Sequence, residues 1–355
     1  MTSQDLPQAD SAAAADIAAI VGPETGVSGP EAAIAEPSAA VAPPAARADY
    51  LGYGLAVSGA VLFATKGIFI KLAYQHAVPT ETVLALRMLV AVPVYAAIFV
   101  TLLRRNPEGR SVLKAGPVIG AMLVGILGYY ISSFLDFAGL NYLSAQMERL
   151  VLYTYPFFTL LFGVWFFGDR MSWRVVPGMV TSYAGLMVIF GWNLAVDPDG
   201  LVLGTALVLA SALTFALYQH LAKRQMSLIG TGFFTCIAMS TAGVVALLQN
   251  TLLHGFASYA ALPAPVWGYG LGLGILGTVV PSFLMNAGIQ RIGPRATSST
   301  GAFGPLFTIA IAVVVLHEPF TLFHAIGTAL VIAGAVWFGR EDTRAKAAAK
   351  AAPGR

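Results

Sequence analysis

From Gln225 to Gln290 the chain carries no Asp, Glu, Lys or Arg. A water-soluble fold of that length needs charged groups for its outer face. The whole 355-residue chain repeats the pattern, with 57% hydrophobic and only 10% charged residues. Soluble domains carry about 25% charged residues. A bilayer is the solvent that such a chain fits. A helix crosses it with about 20 apolar residues.

Ten apolar runs of that length follow Leu51, at 51–72, 80–103, 115–138, 144–167, 172–192, 201–222, 229–249, 266–289, 295–316 and 320–339. They are continuous rather than alternating, which argues for helices and against barrel strands. They are also rich in Gly, Ala and Ser, which let membrane helices approach closely. The expectation is an all-α membrane protein with ten transmembrane helices.

Of the 20 Lys and Arg residues, only Lys66, Lys71, Arg87 and Arg149 are counted inside these runs, since Arg174 and Arg295, at the starts of the fifth and ninth, go with the connections before them. The others sit before the first run, after the tenth, or in every second connection. The remaining connections hold none. Basic residues mark the cytoplasmic side, so both termini are expected there, in a bacterial-type inner membrane. Residues 1–48 are rich in Ala and Pro, with scattered acids from Asp5 to Glu36. They lack the basic start and apolar core of a secretory signal and read as a disordered cytoplasmic tail.

The sequence matches itself 149 residues on. Gly125-Ile126-Leu127-Gly128 recurs as Gly274-Ile275-Leu276-Gly277, and Ser133-Phe134-Leu135 as Ser282-Phe283-Leu284. Pro156 matches Pro305, Thr159 matches Thr308, Gly178 matches Gly327, and Ala184-Gly185 matches Ala333-Gly334; Asp169 pairs in kind with Glu318. The expected organisation is a tail (1–48), a five-helix repeat (51–192), a second five-helix repeat (200–340) and a basic C-terminal tail (341–355). Five is odd, so the second repeat enters the membrane from the opposite side. Inverted repeats of this kind are common in secondary transporters, where the halves rock around a midplane site.

The resemblance to a known family rests on Arg87, on Leu143-Ser144-Ala145, Pro156, Gly168-Asp169-Arg170 and Gly178, and on Pro305, Glu318, Gly327 and Gly334. In their order and duplication the chain resembles the drug/metabolite transporter superfamily, EamA type, over about residues 51–340. The resemblance implies a ten-helix carrier for amino acids, sugars, nucleotides or related metabolites. Glu148-Arg149 departs from it, standing where small apolar residues are expected.

Charges inside a membrane are costly and usually face an internal cavity. Lys66, Arg87, Glu148 and Arg149 are therefore candidate substrate contacts. Tyr130, Tyr153, Tyr218, Gln219 and Asn286 are polar candidates beside them. For Lys66 a cavity role is favoured over a structural ion pair. Arg87 is read as structural pairing or substrate contact alike. Lys71 is read as snorkelling to headgroups. Asp136 and Glu148 are proton-coupling candidates, although Asp136, near the end of its run, can also be read as solvated. Glu148 and Arg149, adjacent on a helix, diverge by about 100° and are not expected to pair. Cations outnumber carboxylates among these groups, which favours a carboxylate-bearing substrate held by a guanidinium. Pro156, Pro281 and Pro305 are hinge candidates, because proline releases a backbone carbonyl.

Enzyme readings fare badly. His317-Glu318 is not followed by the spacing of a zinc motif, and the single Cys236 excludes an intrachain disulfide or a cysteine-based metal site. No cofactor, metal or nucleic acid is expected. The expected partners are a small-molecule substrate and the bilayer, with the chain as monomer or homodimer. The reading is a secondary carrier, with export as the leading direction. The alternative is a non-transporting scaffold or sensor, which a dry bundle centre would favour.

Overall fold

The computed structural model describes residues 49–105, 111–166, 168, 172–284, 287, 291 and 304–351. Among them, nine helices are long and apolar enough to cross a membrane. In chain order they are Tyr50–Tyr74, Thr80–Arg105, Ala115–Gly139, Ala145–Phe166, Trp173–Val196, Leu201–Ile229, Thr231–His254, Ala264–Leu284 and Leu322–Asp342. The shorter apolar helix Gly304–Val315 takes the ninth place, so that Leu322–Asp342 is the tenth span. The expected run 295–316 begins outside the described residues, as do the 1–48 tail and Asn286. Gly304–Val315 stands 149 residues after Tyr155–Phe166, the second part of the fourth span.

Two spans are broken. The first runs Tyr50–Ala64, stops at Thr65 and resumes as Lys66–Tyr74. Asp49 caps its start by accepting from the Gly52 amide at 3.0 Å. The fourth runs Ala145–Leu152, stops over Tyr153–Thr154 and resumes as Tyr155–Phe166. At each break a threonine hydroxyl donates back to a carbonyl, Thr65 to Leu62 O at 2.7 Å and Thr154 to Val151 O at 2.7 Å. Pro156 lies in the first turn of the resumed helix, where its missing N–H costs nothing.

Two other spans pass through π-helical turns, Ile126–Ile131 in the third and Ile275–Val279 in the eighth. These are repeat mates, beginning 149 residues apart. Single π turns are rare and frequently mark functional sites.

The fifth and tenth spans show how the halves meet. A Cβ added to Gly178 would stand 2.7 Å from Gly334 O, and one added to Gly185 would stand 2.5 Å from Gly327 O. Gly178 and Gly327 are repeat mates, and so are Gly185 and Gly334. The contact therefore maps onto itself when the halves are exchanged, the signature of a two-fold relation. The paired numbers run in opposite directions, so the helices are antiparallel and the axis lies across them. This is an inverted repeat of two five-helix halves. Similarly, Gly125 packs on Ala238 of the seventh span, and Gly274 packs on Val90 of the second.

The interior is built largely of alanine, glycine and medium aliphatics. Large apolar groups within the spans, such as Leu123, Val180 and Leu248, point outward, where a bilayer supplies their apolar surroundings.

Candidate functional site

The two breaks bring the buried charges together. Lys66 opens the helix after the first break, and Glu148 and Arg149 lie in the short helix before the second. Lys66 Nζ sits 2.5 Å from Asp136 Oδ2 and 3.8 Å from Glu148 Oε1. Glu148 is fully buried and Asp136 is 2% exposed. Among the described residues, Asp136 Oδ1 and both Glu148 oxygens have no hydrogen-bond partner. The two carboxyl groups lie within hydrogen-bonding reach of each other. A proton on either would turn one bare acceptor into a donor toward the other.

Gly67 lies beside this carboxylate, where a Cβ would be in ordinary van der Waals contact with Glu148 Oε2 at 3.5 Å. Arg149 points elsewhere, as expected of neighbours on a helix. Its Nη2 donates to Phe63 O at 3.2 Å, and Thr308 Oγ1 donates to Ala64 O at 3.2 Å. Those are the last carbonyls before the first break, which the helix itself leaves open. Thr308 comes from the second repeat, so the break is stitched from both halves.

Arg87 is buried across the same interface. Its Nε donates to Thr278 Oγ1 at 3.0 Å, inside the second π turn, and its Nη1 donates to Ser133 Oγ at 3.2 Å. The Phe137 ring lies against both cations, 5.7 Å from Arg87 Cζ and 5.9 Å from Lys66 Nζ. Cation–π contacts of this kind strengthen when desolvated.

Several expectations change at this point. Asp136 is not solvated: it is the buried partner of Lys66. Lys66 makes the ion pair that was the less favoured reading, while its side chain stays 16% exposed. Lys71 does not snorkel. Its ammonium donates to Leu140 O and Leu143 O, each at 3.0 Å, and ties down the loop before the fourth span. Tyr130 stacks on Phe134 at 6.4 Å and joins none of these groups.

Tyr129 is one residue that sequence reasoning missed, as it missed Ser133, Thr278 and Thr308. Tyr129 accepts a hydrogen bond from Tyr218 OH at 2.7 Å and lies within electrostatic reach of Arg87. Tyr153 is the half-buried residue at the second break, and Gln219 is half-buried one position past Tyr218. Pro281 is buried just beyond the second π turn, and Pro305 is buried in the first turn of Gly304–Val315.

The charges belong to one half only. At the repeat offset Lys66 corresponds to Phe215 and Arg87 to Cys236. Around the mate of the charged cluster stand rings instead: Phe215 stacks on Tyr218 at 5.6 Å, and Phe234 on Tyr218 at 6.4 Å. Among the described residues no group of His, Cys, Asp and Glu is placed to hold a metal ion.

An all-helical membrane protein of two inverted halves, with buried charges at helix breaks between them, has the build of a membrane transporter. The chain belongs to the EamA-like transporter family, which matches residues 50–191 and 202–340. It is 31% identical over 279 residues to the uncharacterized transporter YcbK of Bacillus subtilis (strain 168), covering 76% of this chain and 86% of that one. It is 28% identical over 296 residues to the uncharacterized transporter YcxC of the same organism, covering 80% and 91%. One protein crystal structure shares the fold, with a TM-score of 0.55 and 21% identity over 82% of this chain and 98% of the other. The family is one of transporters, not enzymes.

Proposed function

We propose that this chain is a secondary carrier that exports a small carboxylate-bearing metabolite, an amino acid or a related compound, by alternating access. It works in an inner membrane with both termini cytoplasmic. The observation that carries the reading is the cluster of Lys66, Asp136 and Glu148 beside the broken spans, in which two buried carboxyl groups share one lysine whose side chain stays 16% exposed. Ionisable groups this deep in membrane spans usually face an internal cavity, and they mark substrate or proton pathways.

The chemistry runs as follows. Lys66, Arg87 and Arg149 outnumber Asp136 and Glu148, so an added carboxylate balances the site. A guanidinium such as that of Arg87 holds a carboxylate with two parallel bonds, and Thr278 and Ser133 are hydroxyl groups that it can exchange for the substrate. Glu148 takes up or releases a proton as Lys66 shifts between the carboxylates, which couples substrate to proton movement. Pro156, Pro281 and Pro305 stand where the halves would flex.

The test is untargeted metabolite profiling of cells with and without the protein. Loss of the protein is expected to raise the internal level of one or a few carboxylate-bearing compounds. A profile that changes only in cations or uncharged compounds sinks the carboxylate assignment. Depletion inside the cells reverses the direction.

A further inference from the structure

Ala145–Leu152, the short helix that carries Glu148 and Arg149, begins on a residue of the other repeat. Glu318 Oε1 accepts from the Ala145 amide at 2.6 Å, and Glu318 Oε2 accepts from the Gln146 amide at 3.2 Å. Gln146 Nε2 donates back to Pro319 O at 3.4 Å. Ser144 Oγ, the helix's own cap, takes the next amide, Met147 N, at 3.1 Å. A carboxylate on two first-turn amides meets both their open N–H groups and the positive end of the helix dipole.

Glu318 is set up for this contact. It follows His317, whose φ of 53 is uncommon for a residue with a side chain. It lies within electrostatic reach of Lys71, which holds the Leu140 and Leu143 carbonyls just before the same helix. Tyr74 OH donates to Phe137 O at 2.8 Å, and Asn141 Nδ2 donates to Thr80 Oγ1 at 2.9 Å. The loop before the helix is thus fastened to the first repeat, while the helix start is fastened to the second. This seam lies on the face where the connections hold no Lys or Arg.

We infer that Glu318 is a positioning residue of the transport site and the latch that closes this face. Resting on the alternating-access reading, the inference assigns Glu318 two linked roles. It sets Glu148 and Arg149 against Lys66 and the first break while the halves are closed. It lets go of Ala145 and Gln146 when they part. Alternating access requires such a seam to open and re-form in each cycle, and charge-assisted bonds to backbone amides can do both.

The test uses the full chain with Cys236→Ala, and a reporter cysteine at Ala145 beside the latch or at Ala222 toward the other face. An impermeant maleimide is added from each side. Glu318→Ala is expected to speed labelling of the Ala145→Cys reporter at least about tenfold, some 1.4 kcal/mol. It should leave the Ala222→Cys reporter unchanged or slower. Glu318→Asp should restore slow labelling in large part. Unchanged labelling at position 145 overturns the latch. An equal rise at both positions also overturns it, because that is loosening of the whole bundle. In the parent, a change of external pH moves the two reporters in opposite senses if the carrier reading holds. A Glu318 effect without that reciprocity keeps the latch and removes the carrier reading.

Discussion

Lys66 stands between two buried carboxylates and holds one of them closely, so its removal strands charge in an apolar interior. Breaking a buried pair from one side typically costs about 3–5 kcal/mol, whereas replacing both partners with neutral groups costs far less. Lys66→Met alone is therefore expected to lower the melting temperature in detergent strongly. Lys66→Met with Asp136→Asn should recover most of the loss while transport stays abolished. Equal destabilisation by the single and double variants would show that the pair is not coupled. Arg87→Lys is a second case. A lysine cannot reach Thr278 and Ser133 with a rigid fork, so transport should fall about tenfold or more and the melting temperature should also drop, because the buried ammonium keeps fewer partners than the guanidinium.

Part of this site was legible in the sequence, because a charge deep in an apolar run must find a partner. Lys66, Arg87, Glu148 and Arg149 were visible for that reason. Asp136 looked solvated because its depth was judged from its place near the end of a run, and the partner that buries it lies 70 positions away. Sequence reading names Tyr130 and passes over its neighbour Tyr129, and one step along a helix turns a side chain by about 100°. Only the packing against Tyr218 distinguishes the two.

At the scale of elements, spans were easier to read than their interruptions. Hydrocarbon thickness sets the length of a crossing helix, and the expected bounds of the first four spans lie within about two residues of the structure, while the sixth helix runs on to Ile229 and the seventh to His254, past the expected 222 and 249. The break at Thr65 has no proline or glycine at its centre, so local sequence gives no warning of it. The π turns are also silent locally, yet both lie in the stretch where the repeat is most strongly preserved.

The fifth and tenth spans offer a direct test of the two-fold contact. A Cβ on Gly334 would stand 2.4 Å from Ser182 N, and one on Gly327 would stand 2.3 Å from Ile189 Cγ1. Gly334→Ala and Gly185→Ala are each expected to cost about 1–3 kcal/mol through overpacking. Gly191→Ala, where nothing lies within 4 Å, should be neutral or slightly stabilising. Thermal unfolding of the three variants in one detergent checks the contrast, and equal melting temperatures would contradict the packing.

For the whole molecule, the proposal that both termini lie on the cytoplasmic side rests on the alternation of basic connections. Reporter fusions at the N- and C-termini should both read cytoplasmic, and opposite readings would require an odd number of crossings. The repeat was legible as a number, 149, and the glycine contacts turn it into an axis. The sequence already shows that the halves differ in charge, and the structure adds what stands at the mates of those charges and what reaches across to them. Charges gather in the first repeat and rings in the second, while Glu318 and Thr308 reach across from the second to complete the first.

The central claim is that this molecule, alone, carries a carboxylate-bearing metabolite in exchange for protons. Flux through liposomes containing only the purified protein tests it most directly, using the compounds that metabolite profiling singles out. The account predicts accumulation driven by an imposed pH gradient. Glu148→Gln should lose that accumulation but keep exchange of substrate for substrate. Flux no greater than in protein-free liposomes, for every such compound, would contradict it.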